Sequence, residues 1–416
     1  MATAPGEFAA PVVEPAASSG APESTVHRAV VAVYIVFIGA GFGFASWASR
    51  IPQIRSHLRV SPGTLGLILL CIAVGSLISM PLSGLVIARL GEARTVVVLS
   101  LVFAVGLVGV ALGYLSGIAP VAGALFLLGF GNGMWDVSMN VQAAAVEQAL
   151  GRVIMPRFHA GFSIGTVGGA GVGAAMVALN VPVTAHLLGV AVVIAASVPV
   201  ATRGFLPHAP QVKHERDNRP GRLLSAWAEP RTLIIGLFVL CMAFTEGTGN
   251  DWLSVAMIDG YRVSPALGST CFAVFLAAMT TGRWFGPGLV ERYGRVPVLR
   301  VSAAIAMAGL LLVVFGSVLP VALIGSVLWG LGTALGFPLG LSAAADDPQR
   351  SAGRVSVAAS IGYVAFLGGP PLVGFVGDHV GVLRSLTVAV GVLAVALLAS
   401  GATAPLRTDD VAESPP

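Results

Sequence analysis

The chain has 416 residues, of which 56% are hydrophobic and 10% are charged, and its mean hydropathy is +0.89. Soluble globular domains carry about 25% charged residues, so this composition excludes one and indicates a protein embedded in a membrane. The net charge of +4 comes without a basic, aromatic-rich surface segment, so nucleic-acid binding is excluded as well.

The N-terminal segment, residues 1–27, is rich in Ala, Pro, Ser and Glu and lacks the basic region that begins a signal peptide. It is expected to be a disordered cytoplasmic tail in front of a retained first helix. Three later stretches contain no Asp, Glu, Lys or Arg, and each has turn residues near its middle: residues 95–135, 158–202 and 301–345. A membrane span needs roughly 20 apolar residues, so each stretch predicts two spans joined by a turn.

The whole chain predicts twelve membrane-spanning helices, numbered here as spans 1 to 12 in chain order. They cover residues 29–49, 62–87, 95–115, 120–147, 158–179, 182–202, 232–254, 264–290, 297–317, 319–342, 354–377 and 383–404. Most of the 23 Lys and Arg residues fall in the loops on the side of the N-terminus. Because such loops stay in the cytoplasm, we predict a multi-pass protein of the cell membrane with both termini in the cytoplasm.

The two halves of the chain resemble each other on either side of a polar segment at residues 203–230. Four short motifs of the first half recur in the same order in the second: Ser46–Ser49 as Asp251–Ser254, Arg89–Gly91 as Arg292–Gly294, Gly129–Gly131 as Gly330–Gly332, and Ser163–Gly165 as Ser360–Gly362. Two parallel repeats suit alternating access around a site near the bilayer midplane.

The expected fold class is therefore an all-α membrane protein with twelve transmembrane helices in two pseudo-symmetric six-helix bundles. The bundles are predicted at residues 28–202 and 231–405, with a cytoplasmic linker at 203–230 and a cytoplasmic tail at 406–416. Paired small residues, Gly129 with Gly133 and Gly165 with Gly169, predict close contacts between helices.

The loop between spans 2 and 3 and its counterpart between spans 8 and 9 carry related sequences, Gly84–Arg94 and Glu291–Arg295. They resemble the Gly-x-x-x-Asp-Arg-x-Gly-Arg loop of the major facilitator superfamily. Three further segments are similar to the fucose-permease-like branch of that superfamily and its uncharacterised bacterial inner-membrane relatives: Trp47–Pro52, Asp136–Asn140 and His159–Ser163. The resemblance implies the major facilitator fold, and a gating role at the cytoplasmic loops for Arg89, Gly91, Glu291, Arg292 and Gly294.

Span 4 carries the strongest candidates for function. Asn132, Asp136 and Asn140 recur at every fourth residue and so lie along one helix face, which the resemblance places against a central cavity. An ionised carboxylate at that depth costs about 2.5 to 3.5 kcal/mol, so it must pair, take up a proton or bind something. We expect Asp136 to take part in proton coupling and the two asparagines to bind solute; a static hydrogen bond between helices is the alternative.

Span 7 holds a second polar cluster. Glu246 and Asn250 share a helix face, and Asp251 follows towards the outer end. Gly247 and Gly249 within the cluster predict a discontinuous or bendable helix. Glu246 is expected either to take part in proton coupling or to anchor a neighbouring helix. Asn250 and Asp251 are expected to bind solute, with an ion pair at an outer gate as the other role of the aspartate.

Arg50 lies at the outer end of span 1, against the general charge bias. Its expected partners are Asp251 or Glu246, because spans 1 and 7 are neighbours in the fold that the resemblance implies. A substrate carboxylate held by the guanidinium is the alternative. Trp47 and Trp252, near the same ends, either stack on a sugar or other ring or belong to the aromatic belt at the membrane surface.

Other polar or reactive side chains inside spans support fewer conclusions. His159 opens span 5 and is expected either to relay protons or to cap and lock the cytoplasmic loop. Arg283 in span 8 is buried by its position and needs a partner. The cysteines, Cys71, Cys241 and Cys271, lack the spacing of a zinc or redox site, so no metal and no cofactor is expected.

These features predict a secondary active transporter that moves a small polar solute, such as a sugar-like compound, a nucleoside or an organic acid, by proton-coupled symport. The sequence has no Walker loop, so an ion gradient is the remaining energy source, with sodium as the alternative to protons. The expected partners are the solute, protons and the lipid bilayer, and the expected state is a monomer. The alternatives are a proton antiporter that exports a metabolite or drug, and a non-transporting membrane sensor. An enzyme is not expected, because the seven histidines are scattered.

Overall fold

The computed structural model describes residues 22–151, 154–207, 226–347 and 350–406, and these are helical almost throughout. The helices are α1 (Glu23–Ala48), α2 (Ile51–Leu58), α3 (Pro62–Gly113), α4 (Ile118–Leu150), α5 (Met155–Ala178), α6 (Val183–Ala201), α7 (Pro230–Tyr261), α8 (Pro265–Tyr293), α9 (Arg295–Phe315), α10 (Leu319–Thr333), α11 (Gly336–Ala344), α12 (Ser351–Val380), α13 (Val382–Ser385) and α14 (Thr387–Ala399). The predicted tail up to residue 21, most of the predicted linker and the last ten residues lie outside the described residues.

Eleven helical segments of the described chain are long and apolar enough to cross a membrane. One of them, α3, has 52 residues and contains a break at Gly91, where φ is 75° and ψ is 165°. A helix of that length spans about 78 Å, far more than the roughly 30 Å of a bilayer core. It therefore represents spans 2 and 3, and the described helices account for all twelve predicted crossings.

Two helices differ from the predictions. The segment after span 1, predicted as a loop, forms α2, with Pro52 in its first turn. The predicted interruption of span 7 is wrong, because α7 runs unbroken for 32 residues through Gly247 and Gly249. Gly249 instead allows the ring of Phe275 from α8 to approach the α7 backbone. Gly249 therefore serves packing within a continuous helix.

The discontinuous helix is span 10, which the sequence did not single out. Helix α10 ends at Thr333 and α11 begins at Gly336, with Ala334 and Leu335 between them. A Cβ at Gly336 would overlap the side chain of Met242 in α7, so the restart of the helix packs closely against that neighbour.

The structure contains a repeat that supports the duplication. Arg59–Pro62 and Arg262–Pro265 have the same sequence, Arg-Val-Ser-Pro. Both arginines adopt the left-handed conformation, with φ of 52° and 53°. In both copies the serine hydroxyl then caps a long helix by accepting a backbone N–H, from Thr64 at 3.2 Å and from Leu267 at 3.3 Å. We call these turns the first and second corners.

The predicted small-residue contacts are present in the first six spans. A Cβ at Gly129 would overlap the carbonyl oxygen of Ile72 in α3, and one at Gly165 would overlap that of Ile38 in α1. The partners of both glycines are backbone atoms, which cannot rotate away as side chains do. These positions fix α4 against α3 and α5 against α1 at backbone contact distance.

The two halves, α1–α6 and α7–α14, contact each other through α3 with α12 and through α5 with α8. We call the face that carries both corners the corner face, and the opposite face, with the start of α1 and the end of α14, the terminal face. At the corner face Arg55 pairs with Asp259 at 2.5 Å, and the Ser269 hydroxyl donates to the carbonyl of Ser49 at 3.3 Å. The described halves are therefore joined at the corner face.

Ion pairs at the terminal face have a different distribution. Asp346 accepts from Arg231 at 3.0 Å and from Arg295 at 2.9 Å, and Glu229 accepts from Arg354 at 2.6 Å. All five residues belong to the second half. This network fixes the start of α7, the start of α9 and the loop after α11 to one another, without joining the two halves.

Candidate functional site

The polar face predicted on span 4 is present in α4. Asn132, Asp136 and Asn140 are each half-buried, whereas Trp135 and Met139 between them are fully buried. The amide of Asn140 donates to the Asp136 backbone carbonyl at 2.9 Å, and its distance to the Asp136 carboxylate is 3.4 Å. In the described residues, no Lys, Arg or His forms an ion pair with Asp136.

Tyr363 of α12, in the other half, is half-buried and close enough for its phenol to feel the charge of Asp136. Among the described residues no hydrogen bond joins the two side chains. Sequence reasoning missed Tyr363; the signal available was a hydroxyl-bearing ring inside an otherwise apolar span.

A second cluster surrounds Glu246 of α7. Its carboxylate pairs with the guanidinium of Arg283 from α8 at 2.7 Å. The Arg283 Nε also donates to the carbonyl oxygen of Ala334, at the break between α10 and α11, at 3.3 Å. The side chains of Glu246 and Arg283 are 17% and 29% exposed, so the pair lies in a partly open space. The partner that Arg283 was expected to need is therefore Glu246.

His159 of α5 is exposed, and its ring packs edge-on against Phe37 at 5.3 Å. Its roles in proton relay or in locking the cytoplasmic loop stay predictions. A cap at the start of α5 comes from another residue. Glu147 of α4 accepts the backbone N–H groups of Ile154 and Met155 at 2.7 and 2.6 Å, and so caps α5.

Arg50 has partners that the sequence did not predict. It is 2% exposed, its Nε donates to the Nδ1 of His186 at 2.9 Å, and its Nη2 donates to the carbonyl of Val181 at 3.1 Å. The predicted pairing with Asp251 or Glu246 is wrong, because Arg50 lies at the turn from α1 into α2 and points into its own half, towards α6. His186 was missed, although it is the only ionisable side chain within residues 160–202.

Both candidate tryptophans are packed inside the bundle. Trp47 is 2% exposed and Trp252 is fully buried. The interpretation as a belt at the membrane surface is therefore wrong, and neither indole is accessible to solute in this conformation. Asn250 and Asp251 are half-buried beside Trp252. Neither side chain has a polar partner among the described residues, so both are open to contact with a solute or water.

The loop residues predicted to gate the carrier lie at the terminal face. Arg89, Glu291 and Arg292 are exposed, and the Arg292 guanidinium lies over the ring of Tyr293 at 5.2 Å. Gly91 and Gly294 share the same unusual backbone conformation, with φ of 75° and 83°. Glycine adopts positive φ without strain, which explains the residue at both turns.

These side chains do not suggest a metal site. In the ranges that the structure covers, no group of three or more His, Cys, Asp or Glu side chains is arranged to hold a metal ion. The candidate site instead consists of two acidic clusters between the halves. In the first cluster, Asp136 lies near the amide of Asn140 and the phenol of Tyr363. In the second, Arg283 neutralises the charge of Glu246.

Comparisons with known proteins agree with this architecture. The family model described as Major Facilitator Superfamily matches residues 33–367. An uncharacterised MFS-type transporter of Yersinia pestis is 32% identical over 375 residues, covering 90% of this chain and 94% of that protein. An uncharacterised transporter of Sinorhizobium fredii is 33% identical over 343 residues, covering 82% of this chain and 89% of that one.

Solved structures show the same fold at low sequence identity. The nucleoside transporter NupG superposes with a TM-score of 0.70 at 15% identity, covering 92% of this chain and 99% of that one. An inward-facing bacterial homologue of the human lysosomal transporter Spinster gives 0.74 at 13%, covering 92% and 98%. The fucose:proton symporter FucP of E. coli gives 0.64 at 15%, covering 92% and 100%. The chain therefore belongs to the major facilitator superfamily of membrane transporters.

Proposed function

We propose that this transporter carries a small polar solute by proton-coupled symport, with Asp136 as the group that takes up and releases the proton. The observation that carries the proposal is the environment of Asp136. It is a half-buried carboxyl group without a cationic partner among the described residues, and the polar side chain beside it is the amide of Asn140. Carboxylates inside membrane spans are expensive when ionised, so protonation eases the movement of this helix face.

Glu246 has a different role in this proposal. Its charge is already neutralised by Arg283, so it does not need a proton to remain in the membrane. The Glu246–Arg283 pair offers a donor and an acceptor to a polar solute that enters from the space between the halves. We therefore assign coupling to Asp136 alone, and solute contact to Glu246, Arg283, Asn132 and Asn140.

The arrangement of the halves supports alternating access. Their contacts through Arg55 and Ser49 lie at the corner face, while the described ion pairs at the terminal face stay within the second half. With the basic loops in the cytoplasm, the terminal face is cytoplasmic and the conformation is inward-facing. In this scheme the solute binds from outside when the halves separate at the corner face and close at the terminal face, and it is released into the cell when they return to the inward-facing conformation.

The solute class follows from the polar groups of the two clusters. Carboxylate, guanidinium, amide and phenol side chains suit a solute with several hydroxyl or amide groups, and suit lipophilic drugs less well. Sugars, nucleosides and small organic acids have that character. The names of NupG and FucP, a nucleoside transporter and a fucose symporter, are consistent with this range.

The proposal is tested by flux into proteoliposomes that contain the purified full-length chain. A panel of sugars, nucleosides and organic acids is offered under an imposed inward proton gradient, with the outside more acidic. The uptake of the substrate that accumulates is then measured for Asp136→Asn. We expect the variant to lose gradient-driven accumulation and to retain counterflow exchange of the same solute, because binding and conformational exchange do not require the proton.

Asp251→Asn is the matched control, since it removes a half-buried carboxyl group in the other half. We expect it to retain gradient-driven accumulation, with a changed KM if Asp251 contacts solute. Full accumulation by Asp136→Asn would show that the coupling assignment is wrong. Accumulation of the solute only under an outward proton gradient, with the inside more acidic, would instead identify a proton antiporter.

A further inference from the structure

A cavity of about 510 Å³ opens between the two halves at the corner face, away from both acidic clusters. From the first half it is lined by Arg50 and Gln53 and by the turn between α5 and α6, which contains Asn180 and Val181. From the second half it is lined by Ser264 and Ala266, at the start of α8. None of its lining residues is acidic.

One polar group of this cavity is not fully satisfied by the protein. Arg50 is 2% exposed and uses its Nε and Nη2 for His186 and Val181, which leaves its Nη1 without a partner in the described chain. Gln53 also lines the cavity, but both of its amide atoms are buried away from it. Polar groups in protein interiors are nearly always paired, so the free donor of Arg50 indicates a ligand or water that the cavity holds.

The duplicated corners show what kind of group is missing. At the first corner, the N–H of Gly63 donates to the carboxylate of Asp378 at 3.0 Å, and Asp378 also lies 3.3 Å from the Ser61 hydroxyl. A carboxylate from the other half thus caps the start of α3, where the helix dipole favours an anion.

The second corner repeats this geometry without the carboxylate. Ala266 follows Pro265 as Gly63 follows Pro62, and both helices begin with the same serine cap. Asp378 lies at the end of α12; the corresponding end of α5, at Leu179–Val181, has no acidic residue. The cavity occupies the place of the missing carboxylate, and Arg50 adds a buried positive charge beside it.

We propose that this cavity binds a small free carboxylate. Its carboxyl group caps the start of α8 at Ala266 and accepts from Arg50, and its polar remainder lies against the turn at Asn180. The cavity is walled by both halves, so the ligand stabilises the conformation in which the corner face is closed. By linkage, a ligand that binds one conformation shifts the population towards it.

The test is the thermal unfolding of the purified full-length chain in lipid nanodiscs. Sodium acetate, lactate and gluconate are titrated against sodium chloride at equal ionic strength, with acetamide and glucose as neutral counterparts and sodium phosphate as a second anion. We expect one or more carboxylates to raise the unfolding temperature saturably, and the neutral compounds and chloride to leave it unchanged.

The variant Arg50→Lys is expected to raise the half-saturating concentration at least about tenfold, since it loses a directed, charge-assisted hydrogen bond to the carboxylate. Asn180→Asp, which places a fixed carboxylate on the cavity wall, is expected to raise it as well. Arg384→Gln is the matched control, because it removes an exposed positive charge from the same face without lining the cavity.

Three results would overturn the proposal. One is the absence of stabilisation by every carboxylate, another is equal stabilisation of the wild type and Arg50→Lys, and the third is stabilisation by phosphate alone. The assay does not depend on the coupling mechanism. Failure here together with intact proton-driven uptake would leave the proposed function standing, and the reverse combination would leave the cavity assignment standing.

Discussion

Glu246 and Arg283 form an ion pair whose members come from adjacent helices of the second half. A charge left alone in such a place is more costly than the absence of both, because its desolvation is no longer compensated. The sequence predicted that Arg283 needs a partner but did not predict which acid. The packing of α7 against α8 brings Glu246, and not Asp251, within reach of Arg283.

The first prediction at this scale concerns Glu246→Gln. We expect it to lower the free energy of unfolding by about 2 kcal/mol, below the roughly 3–5 kcal/mol of a fully buried pair because both side chains are partly exposed. The double variant Glu246→Gln, Arg283→Gln is expected to recover most of this loss. Denaturation of the purified variants in detergent measures both effects, and a double variant no more stable than the single one would contradict the prediction.

A second residue-scale prediction concerns Glu229, just before α7 at the terminal face. Burial acts to raise the pKa of this carboxyl, but hydrogen bonds from Arg354 and Thr232 and the charges of Arg354 and Arg350 lower it overall. A lowered pKa in the folded state gives stability that is present above the unfolded-state pKa of about 4.3 and is lost as the pH falls below it.

We therefore expect the wild type to lose stability between about pH 5 and pH 3 more steeply than Glu229→Gln. Unfolding temperatures measured in that range compare the two proteins. Glu23→Gln, which changes an exposed acid at the start of α1, is the control and is expected to follow the wild type. Parallel pH curves for the wild type and Glu229→Gln would rule out a contribution from this network.

At the scale of the helix, the charge-free stretches and basic loops were sufficient to predict every membrane crossing, because the bilayer imposes length and polarity on each span. Local interruptions were harder to predict. Gly247 and Gly249 suggested a break in α7, yet the Phe275 ring fills the space beside Gly249 and the helix continues. The break between α10 and α11 had a local signal that was missed, because Pro338 has no N–H to donate to the carbonyl of Ala334.

The same distinction explains the outcome at the candidate site. The face of α4 was predictable because a repeat of four residues determines it from the sequence alone. The partners of Arg50 were not, because His186 and Val181 are brought to it by the turn between α5 and α6. Burial of Trp47 and Trp252 was also unpredictable, since tryptophan is equally suited to a membrane surface and a packed core.

A prediction for the helices compares two glycines of α5. Gly165→Ala places a Cβ against the Ile38 backbone and is expected to destabilise the protein by about 1–3 kcal/mol. Gly168→Ala has open space around the new Cβ and is expected to be neutral or to stabilise by up to about 1 kcal/mol, because alanine favours the helix. Thermal unfolding of the two variants checks the difference, and equal effects would argue against backbone contact at Gly165.

For the whole molecule, the contacts between the halves at the corner face have a direct consequence. Arg55 and Asp259 meet there and must separate when that face opens. If the protein alternates between two conformations, a covalent link at this point holds it in one of them. Cys71 is half-buried and the other two cysteines are buried, so only a limited reactive background is expected.

We predict that Arg55→Cys with Asp259→Cys, in a Cys71→Ser background, loses transport after treatment with a short bifunctional methanethiosulfonate and regains it after reduction. Transport into proteoliposomes is the measurement. The matched protein with serine at both positions is expected to be unaffected by the reagent. Full transport by the cross-linked protein would show that the corner face does not open during the cycle.

Helix α11 has only nine residues, and arginines hold it at both ends. Arg283 binds the carbonyl of Ala334 just before it, and Arg231 and Arg295 bind Asp346 just after it. A short rod fixed at both ends can turn about its own axis but cannot slide along it. Both anchors come from neighbouring helices, so the placement of α11 depends on α7, α8 and α9 together and not on its own short length.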